Sequence, residues 1–180
     1  MDYLAVALAA LFVSALALYS GFGLGTLLMP IFALFFPIPV AVASTAVVHL
    51  SNNFFKILLV GRNANLKTVV AFSLPAAAMA VLGALLLVQI SDVAPLGSYS
   101  VGEYNFSITT LNLVIAILIL FFAAFELIPT LRNIELPQKF VPIGGAVSGF
   151  FGGLSGHQGA LRSAVLAKTG LDTGSFVGTT

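Results

Sequence analysis

The sequence predicts an all-α polytopic membrane protein with two tandem repeats. Each repeat would run helix, glycine-rich break, short helix, then longer transmembrane helices, and the second repeat is incomplete. Three observations predict this: the scarcity of charge, the spacing of the charges that exist, and the recurrence of a glycine-interrupted pattern. Hydrophobic residues make up 59% of the chain and charged residues 7%, with a mean hydropathy of +1.12. A soluble domain carries about 25% charged residues to solvate its surface. No charged side chain lies between Asp2 and Lys56, Lys67 and Asp92, Glu103 and Glu126, or Lys139 and Arg162. Each gap holds the ~20 apolar residues that a bilayer-spanning helix needs.

In chain order, Tyr3 to Ser20 predicts a first helix, retained rather than cleaved because no basic segment precedes it and no clear cleavage site follows. Gly21-Phe22-Gly23-Leu24-Gly25 breaks it. Thr26 to Phe36 predicts a short helix, closed by Pro37-Ile38-Pro39, and about 16 Å long at 1.5 Å per residue. That falls short of a ~30 Å hydrocarbon core. Val40 to Val60 predicts a third helix, residues 61–67 a basic loop, and Thr68 to Ile90 a fourth helix with a bend at Pro75. Residues 91–105 read as a polar loop, Phe106 to Ile128 as a fifth helix and residues 130–139 as a charged loop. Phe140 to Leu154 predicts a glycine-rich helix, residues 155–159 a second break, Ala160 to Thr169 a second short helix, and Asp172 the opening of another.

Lys56, Arg62 and Lys67 surround one connection and Arg132 and Lys139 another, whereas residues 91–105 hold no Lys or Arg. The bias of basic residues toward cytoplasmic loops places the first two connections inside and residues 91–105 outside. These charges read as topology signals, Glu126 as interfacial, and Asp92 and Glu103 as solvated loop residues. The net charge of +1 gives no argument for a nucleic-acid partner, and the absence of cysteine excludes disulfides and thiol chemistry.

A shift of 134 residues places Val13 on Val147, Ser14 on Ser148, Gly25 on Gly159, Leu27 on Leu161, Ala33 on Ala167 and Thr45 on Thr179. The shared order of helix, break, short helix and turn is the stronger sign of duplication. Residues 1–134 are thus expected to form a first repeat and residues 135–180 the start of a second. Two full units would need about 268 residues, as duplicated transporters lead one to expect. The 180 residues therefore read as a fragment or a short member of a longer design. Whether the repeats are parallel or inverted depends on whether the short helix re-enters or crosses, and both remain open.

Backbone left non-helical at membrane depth is tolerated only where protein or a water-filled cavity satisfies its N–H and C=O groups. The start of a short helix presents unpaired N–H groups and a positive dipole end, which suit an anion. Gly21, Gly23 and Gly25, with Thr26, are candidates for close backbone approach to a ligand, as are Gly156 and Gly159 in the second break. The competing reading is helix packing: Gly145, Gly149 and Gly153 form two small-xxx-small steps. Arg162 follows Gly159 by three residues, and an ionisable residue in a membrane segment is a functional candidate by default. Its guanidinium would contact an oxyanion, or else snorkel to the interface or pair with Asp172. Gln158 adds a neutral donor, while His157 reads as a proton carrier or as a neutral donor to backbone. His49 and Asn53, spaced i and i+4, share one face of a polar stripe that also holds Ser44, Thr45, Ser51 and Asn52. That stripe would line a hydrated pathway or hydrogen-bond between helices.

The sequence resembles the TauE/SafE sulfite-exporter family of bacterial permeases. The resemblance rests on Gly21-Phe22-Gly23-Leu24-Gly25, Leu27-Leu28-Met29-Pro30 and Pro39-Val40-Ala41-Val42-Ala43-Ser44-Thr45. In the second half it rests on Ser148-Gly149-Phe150-Phe151-Gly152-Gly153-Leu154-Ser155-Gly156. It implies a multi-pass protein of the cell (inner) membrane, exporting or importing a small sulfur-containing or organic anion driven by an ion gradient. The chain departs from the family pattern at Leu24, where a tighter glycine run is usual, and at His157-Gln158-Gly159-Ala160-Leu161-Arg162, where most members are glycine and apolar. It resembles a distinct subgroup.

The expected partners are thus a small anion, a coupling ion that is H+ or Na+, and the bilayer; a homo-oligomer is compatible with the sequence, and no cofactor or metal is implied. An anion channel would use similar breaks. A catalytic role is disfavoured, because Ser–x–His pairs point apart on a helix and no orienting carboxylate accompanies Ser51–His49 or Ser155–His157.

Overall fold

The helices follow the apolar runs. In the computed structural model, which describes residues 3–20, 24–128, 130, 137–167 and 169–180, α1 is Tyr3–Ser20, α2 Leu24–Ala33 and α3 Ile38–Val60. A 3-10 turn at Gly61–Asn63 leads to α4, Leu66–Ser91. Helix α5 is Thr110–Leu127, and a second 3-10 turn, Gln138–Phe140, precedes α6, Val141–Ser155. Two short helices follow, α7 Gly159–Leu166 and α8 Thr173–Thr179. The repeat boundary expected at residues 134–135 and most of the loop 130–139 lie outside the described residues.

Two segments, Ile38–Asn63 and Leu66–Ser91, are long and apolar enough to cross a membrane; each holds 26 residues, about 39 Å if helical throughout. Shorter apolar helical stretches occur at Val6–Leu16 and Thr110–Ala124. Helix α3 buries Ala41, Val42, Thr45 and His49 and turns Leu50, Phe54 and Leu58 outward. On α4, Phe72, Gly83 and Leu87 face inward while Leu74, Leu82 and Leu85 are exposed. Water would reject so continuous an apolar exterior, and lipid accepts it. Helix α4 continues through Pro75. It separates Lys67 from the connection after Ser91 by its own length. Lys67 shares one end of the molecule with Lys139, and both line a cavity of about 390 Å³. This is the charge segregation expected of a membrane protein.

Residues 91–105 are not a featureless loop, so the architecture is not purely α. Strands β1 (Gly97–Val101) and β2 (Tyr104–Ile108) pair antiparallel, with Val101 opposite Tyr104. Gly102, at φ 62°, begins the two-residue turn Gly102-Glu103, where a positive φ at the first central position suits glycine. Tyr99 and Phe106 face each other across the ladder and stack at 5.3 Å. The apolar alternation of Tyr99, Val101, Tyr104 and Phe106 carries the strand signal, which the surrounding polar residues obscure. Part of the expected fifth helix is therefore strand, and α5 starts at Thr110, where the Thr109 side chain accepts from the Asn112 amide at 3.0 Å.

Two further boundaries move. Helix α2 begins at Leu24 and ends at Ala33, so Gly25 lies in its first turn rather than in the break. The residues expected to finish the helix instead form a turn, with Leu34 N donating to Ile31 O at 3.2 Å and Phe35 N to Phe32 O at 3.0 Å. Gly21 and Gly23 lie outside the described residues.

The closest packing joins α4 to α6. A Cβ added at Gly145, Gly149 or Gly153 would meet the backbone of Phe72, Ala76 or Ala80, and one added at Gly83 would meet Phe150. The small-xxx-small steps thus serve packing, as lipid-embedded helices require when their backbones approach. Gly149→Ala should force the two helices apart and lower stability by about 1–3 kcal/mol. Thermal unfolding in detergent, followed by size-exclusion chromatography, should show a lowered midpoint.

Candidate functional site

Helix α6 ends in a left-handed residue, Gly156 at φ 76°, whose amide donates to Gly152 O at 2.9 Å. Only glycine adopts this conformation without strain, and this turn creates the second break. A Cβ at Gly156 would touch Thr45 of α3 and Met29 of α2, so the break lies against both helices. Ser148 Oγ donates to Gln158 O at 3.0 Å and holds the far side of the break to α6. Helix α7 then starts at Gly159, and Arg162 N donates back to Gln158 O at 3.0 Å. The second break and second short helix occupy the expected places.

Gln158 and Arg162 line a cavity of about 370 Å³, joined by Asn53 of α3, Ser73 of α4, Gly152 of α6, and Thr179 and Thr180 at the end of α8. A second cavity of about 320 Å³ shares Asn53, Thr179 and Thr180 and adds Lys56, Gly61 and Ala64. Lys56 Nζ donates to Thr180 Oγ1 at 3.2 Å, and Asn65 N to Thr179 Oγ1 at 3.0 Å. Among the described residues, no Asp or Glu side chain lines either cavity. Arg162 Nε is enclosed without a hydrogen-bond partner. A buried guanidinium nitrogen left unpaired forfeits the interaction water would have given it. Lys56 lies close enough to feel the Arg162 charge, and so does His49.

The two histidines lie deeper. His49 is 7% exposed and His157 2%, and His157 also acts electrostatically on His49. His157 Nδ1 lies 2.7 Å from Ser155 O and 3.3 Å from Ser155 Oγ. Its ring stacks parallel to Phe122 of α5, with centroids 5.6 Å apart. The Nε2 atoms of both histidines are buried without partners.

The structure therefore brings Asn53, Gln158 and Arg162 to one cavity, with His49 and Arg162 within electrostatic reach, and packs His157 and Gly156 beside them. Gly159 opens α7, and Thr26 sits half-buried in the first turn of α2. Pairing of Arg162 with Asp172 is not what Asp172 does: its carboxylate accepts from the amides of Gly174 and Ser175 and from Ser175 Oγ, capping α8. The stripe of His49, Asn53 and Lys56 was open to sequence reasoning, since the three share a helical face, but Lys56 read only as a topology charge. Thr179 and Thr180 carried no signal before α8 folded against residues 56–65. Phe122 was one aromatic among many on an apolar helix.

The sequence model of one family, described as sulfite exporter TauE/SafE, matches residues 5–180. The chain belongs to the TauE/SafE family. The match covers nearly the whole chain, and TauE/SafE proteins are membrane transporters of sulfite and related anions. No curated protein and no solved structure matches the chain.

Helix α8 contributes Thr179 to both cavities, and Thr180 just past its end lines both as well. Ser175, through its hydroxyl and then its amide, holds the Asp172 carboxyl below the usual carboxylate range, with help from the Gly174 amide. A depressed carboxyl pKa stabilises the folded state above the unfolded value and loses that contribution as pH falls through the folded one. Acidification below the normal carboxylate range, or Asp172→Ala at neutral pH, should therefore weaken α8. Hydrogen–deuterium exchange, referred to the intrinsic rate at each pH, should show lower protection at residues 174–179 in both cases.

Proposed function

We propose that this protein is a secondary-active permease of the cytoplasmic membrane that moves a small anion, namely sulfite, a sulfonate or a related sulfur or organic anion. The anion would be held by Arg162, Gln158 and Asn53 at the second break, with Gly156, His157 and Gly159 shaping that break. Gly21, Gly23, Gly25, Thr26 and His49 would complete the site from the first half. Alternating access would arise from two repeats, residues 1–134 and the unit begun by 135–180, rocking about this region in a multi-pass arrangement. Coupling would be to H+ or Na+.

The observation that carries this reading is the unpartnered, enclosed Nε of Arg162 beside a cavity that no Asp or Glu side chain lines among the described residues. A cation that costs roughly 2.5–3.5 kcal/mol to insert into a membrane segment is retained for a purpose, and an oxyanion would satisfy it with charge-assisted, bidentate contacts. Gln158, Asn53 and Ser73 add neutral donors, and Lys56 extends the positive potential toward the end that carries Lys67 and Lys139. Family membership supports the anion class.

The test is uptake into proteoliposomes of sulfite, sulfate, thiosulfate and methanesulfonate. Wild-type protein should show saturable, gradient-driven uptake of at least one. Arg162→Ala should reduce it by about 10- to 100-fold, the factor that loss of one charge-assisted hydrogen bond implies, while inserting normally. Arg162→Lys should retain part of it, because a point charge replaces the fork. Uptake unchanged in Arg162→Ala, or unsaturable current without ion coupling, would refute the reading.

A further inference from the structure

We infer that the coupling ion is a proton, taken up by the buried histidine pair His157 and His49 when an anion occupies Arg162, so that anion and proton cross together. This rests on the permease reading above and adds to it the identity of the coupled ion and its binding groups.

Ser155 O can only accept a hydrogen bond, and it lies 2.7 Å from His157 Nδ1. Nδ1 therefore carries the hydrogen. In a neutral imidazole the other nitrogen is then a bare lone pair. That nitrogen, Nε2, is buried with no partner in a residue 2% exposed. The neutral ring has no donor there to offer an anion. One added proton turns Nε2 into a cationic donor without disturbing the Nδ1–H bond to Ser155. Phe122 stacked on one face and the Ser155 carbonyl at the edge keep the ring in place for both states. His49 supplies a second enclosed Nε2, and both His157 and Arg162 act on it electrostatically.

These groups form a linked set. A cationic Arg162 repels a positive charge on His49, which His157 also feels as a neighbour, most strongly where water is excluded. An anion on Arg162 cancels that repulsion, so anion binding and proton binding favour each other by the same factor. The charged groups bearing on the pair are Arg162 of α7 and, through Arg162, Lys56 of α3. Helices α2 and α6, which adjoin the break, carry no titratable side chain. Helix α5 carries Glu126, whose side chain lies outside the described residues.

The experiment uses proteoliposomes with a lumenal pH dye and the same four anions. Sulfate, thiosulfate and methanesulfonate carry no proton of their own near neutral pH. With wild-type protein, an inward gradient of a transported anion should acidify the lumen. Its apparent affinity should rise as external pH falls, by at most about tenfold per pH unit for one linked proton. His157→Gln keeps a donor for Ser155 O but cannot titrate; it should abolish the acidification and flatten the pH dependence. His49→Gln should reduce both. If sulfite alone is transported, wild type and His157→Gln are compared at the same pH, so that the titration of the anion itself cancels. Detergent size-exclusion profiles, with His157→Asn as a second substitution, identify variants that fail to fold. Three results would overturn the proton site and leave the anion reading standing: anion entry without acidification, uptake driven by a Na+ gradient at constant pH, or a pH dependence removed by Glu126→Gln and retained in His157→Gln. No uptake of any anion by wild type would overturn both.

Discussion

Helix α6 can lie against α4 at backbone distance only because Gly145, Gly149 and Gly153 present no side chain to Phe72, Ala76 and Ala80, and because Gly83 returns the favour toward Phe150. In lipid there is little hydrophobic gain from bringing two apolar helices together, so close van der Waals contact has to supply the attraction. Much else depends on this seam. It fixes where α6 ends, and so where Gly156 turns the chain against Thr45 and Met29. It also sets Gly152 opposite Gln158, leaving one wall of the cavity without side chains.

That wall faces an unusual electrostatic environment. Arg162, Lys56, His49 and His157 gather around the break, and no Asp or Glu side chain lines the cavities among the described residues. Structural ion pairs in membranes bring opposite charges together, because each partner lowers the other's desolvation penalty. A guanidinium Nε with no partner among the described residues is one that the proposed anion would satisfy. Membership of the TauE/SafE family fits such a solute.

Much of the fold was legible beforehand. The long charge-free runs became α1, α3, α4 and α5, and the glycine-rich break at residues 155–159 appeared where the non-helical residues Gly156–Gln158 lie. The β-hairpin escaped because its apolar alternation is short and set among Ser, Asn and Glu, so it read as an undifferentiated polar loop. Gly25 was misplaced because glycine weakens a helix without forbidding it, and the apolar run that buries Leu28, Met29 and Phe32 continues the helix back over it. At the site, Arg162, Gln158, His157, His49 and Asn53 stood out because polar groups in apolar helices are conspicuous. Lys56 did not, since a lysine near a helix end is equally a topology signal, and only the hydrogen bond to Thr180 distinguishes it.

By itself, then, the sequence determined that the chain belongs in a bilayer, where the glycine-rich break at Gly156 falls, and which polar residues stand beside it. Each of these follows from local chemistry: hydropathy along a helix length, backbone freedom at glycine, and the cost of an ionisable group among apolar ones. Tertiary structure alone decided that the glycines of α6 serve packing against α4 and that α8 closes against Lys56. Both outcomes depend on which surfaces meet across many tens of residues of chain, and no local pattern encodes such a meeting.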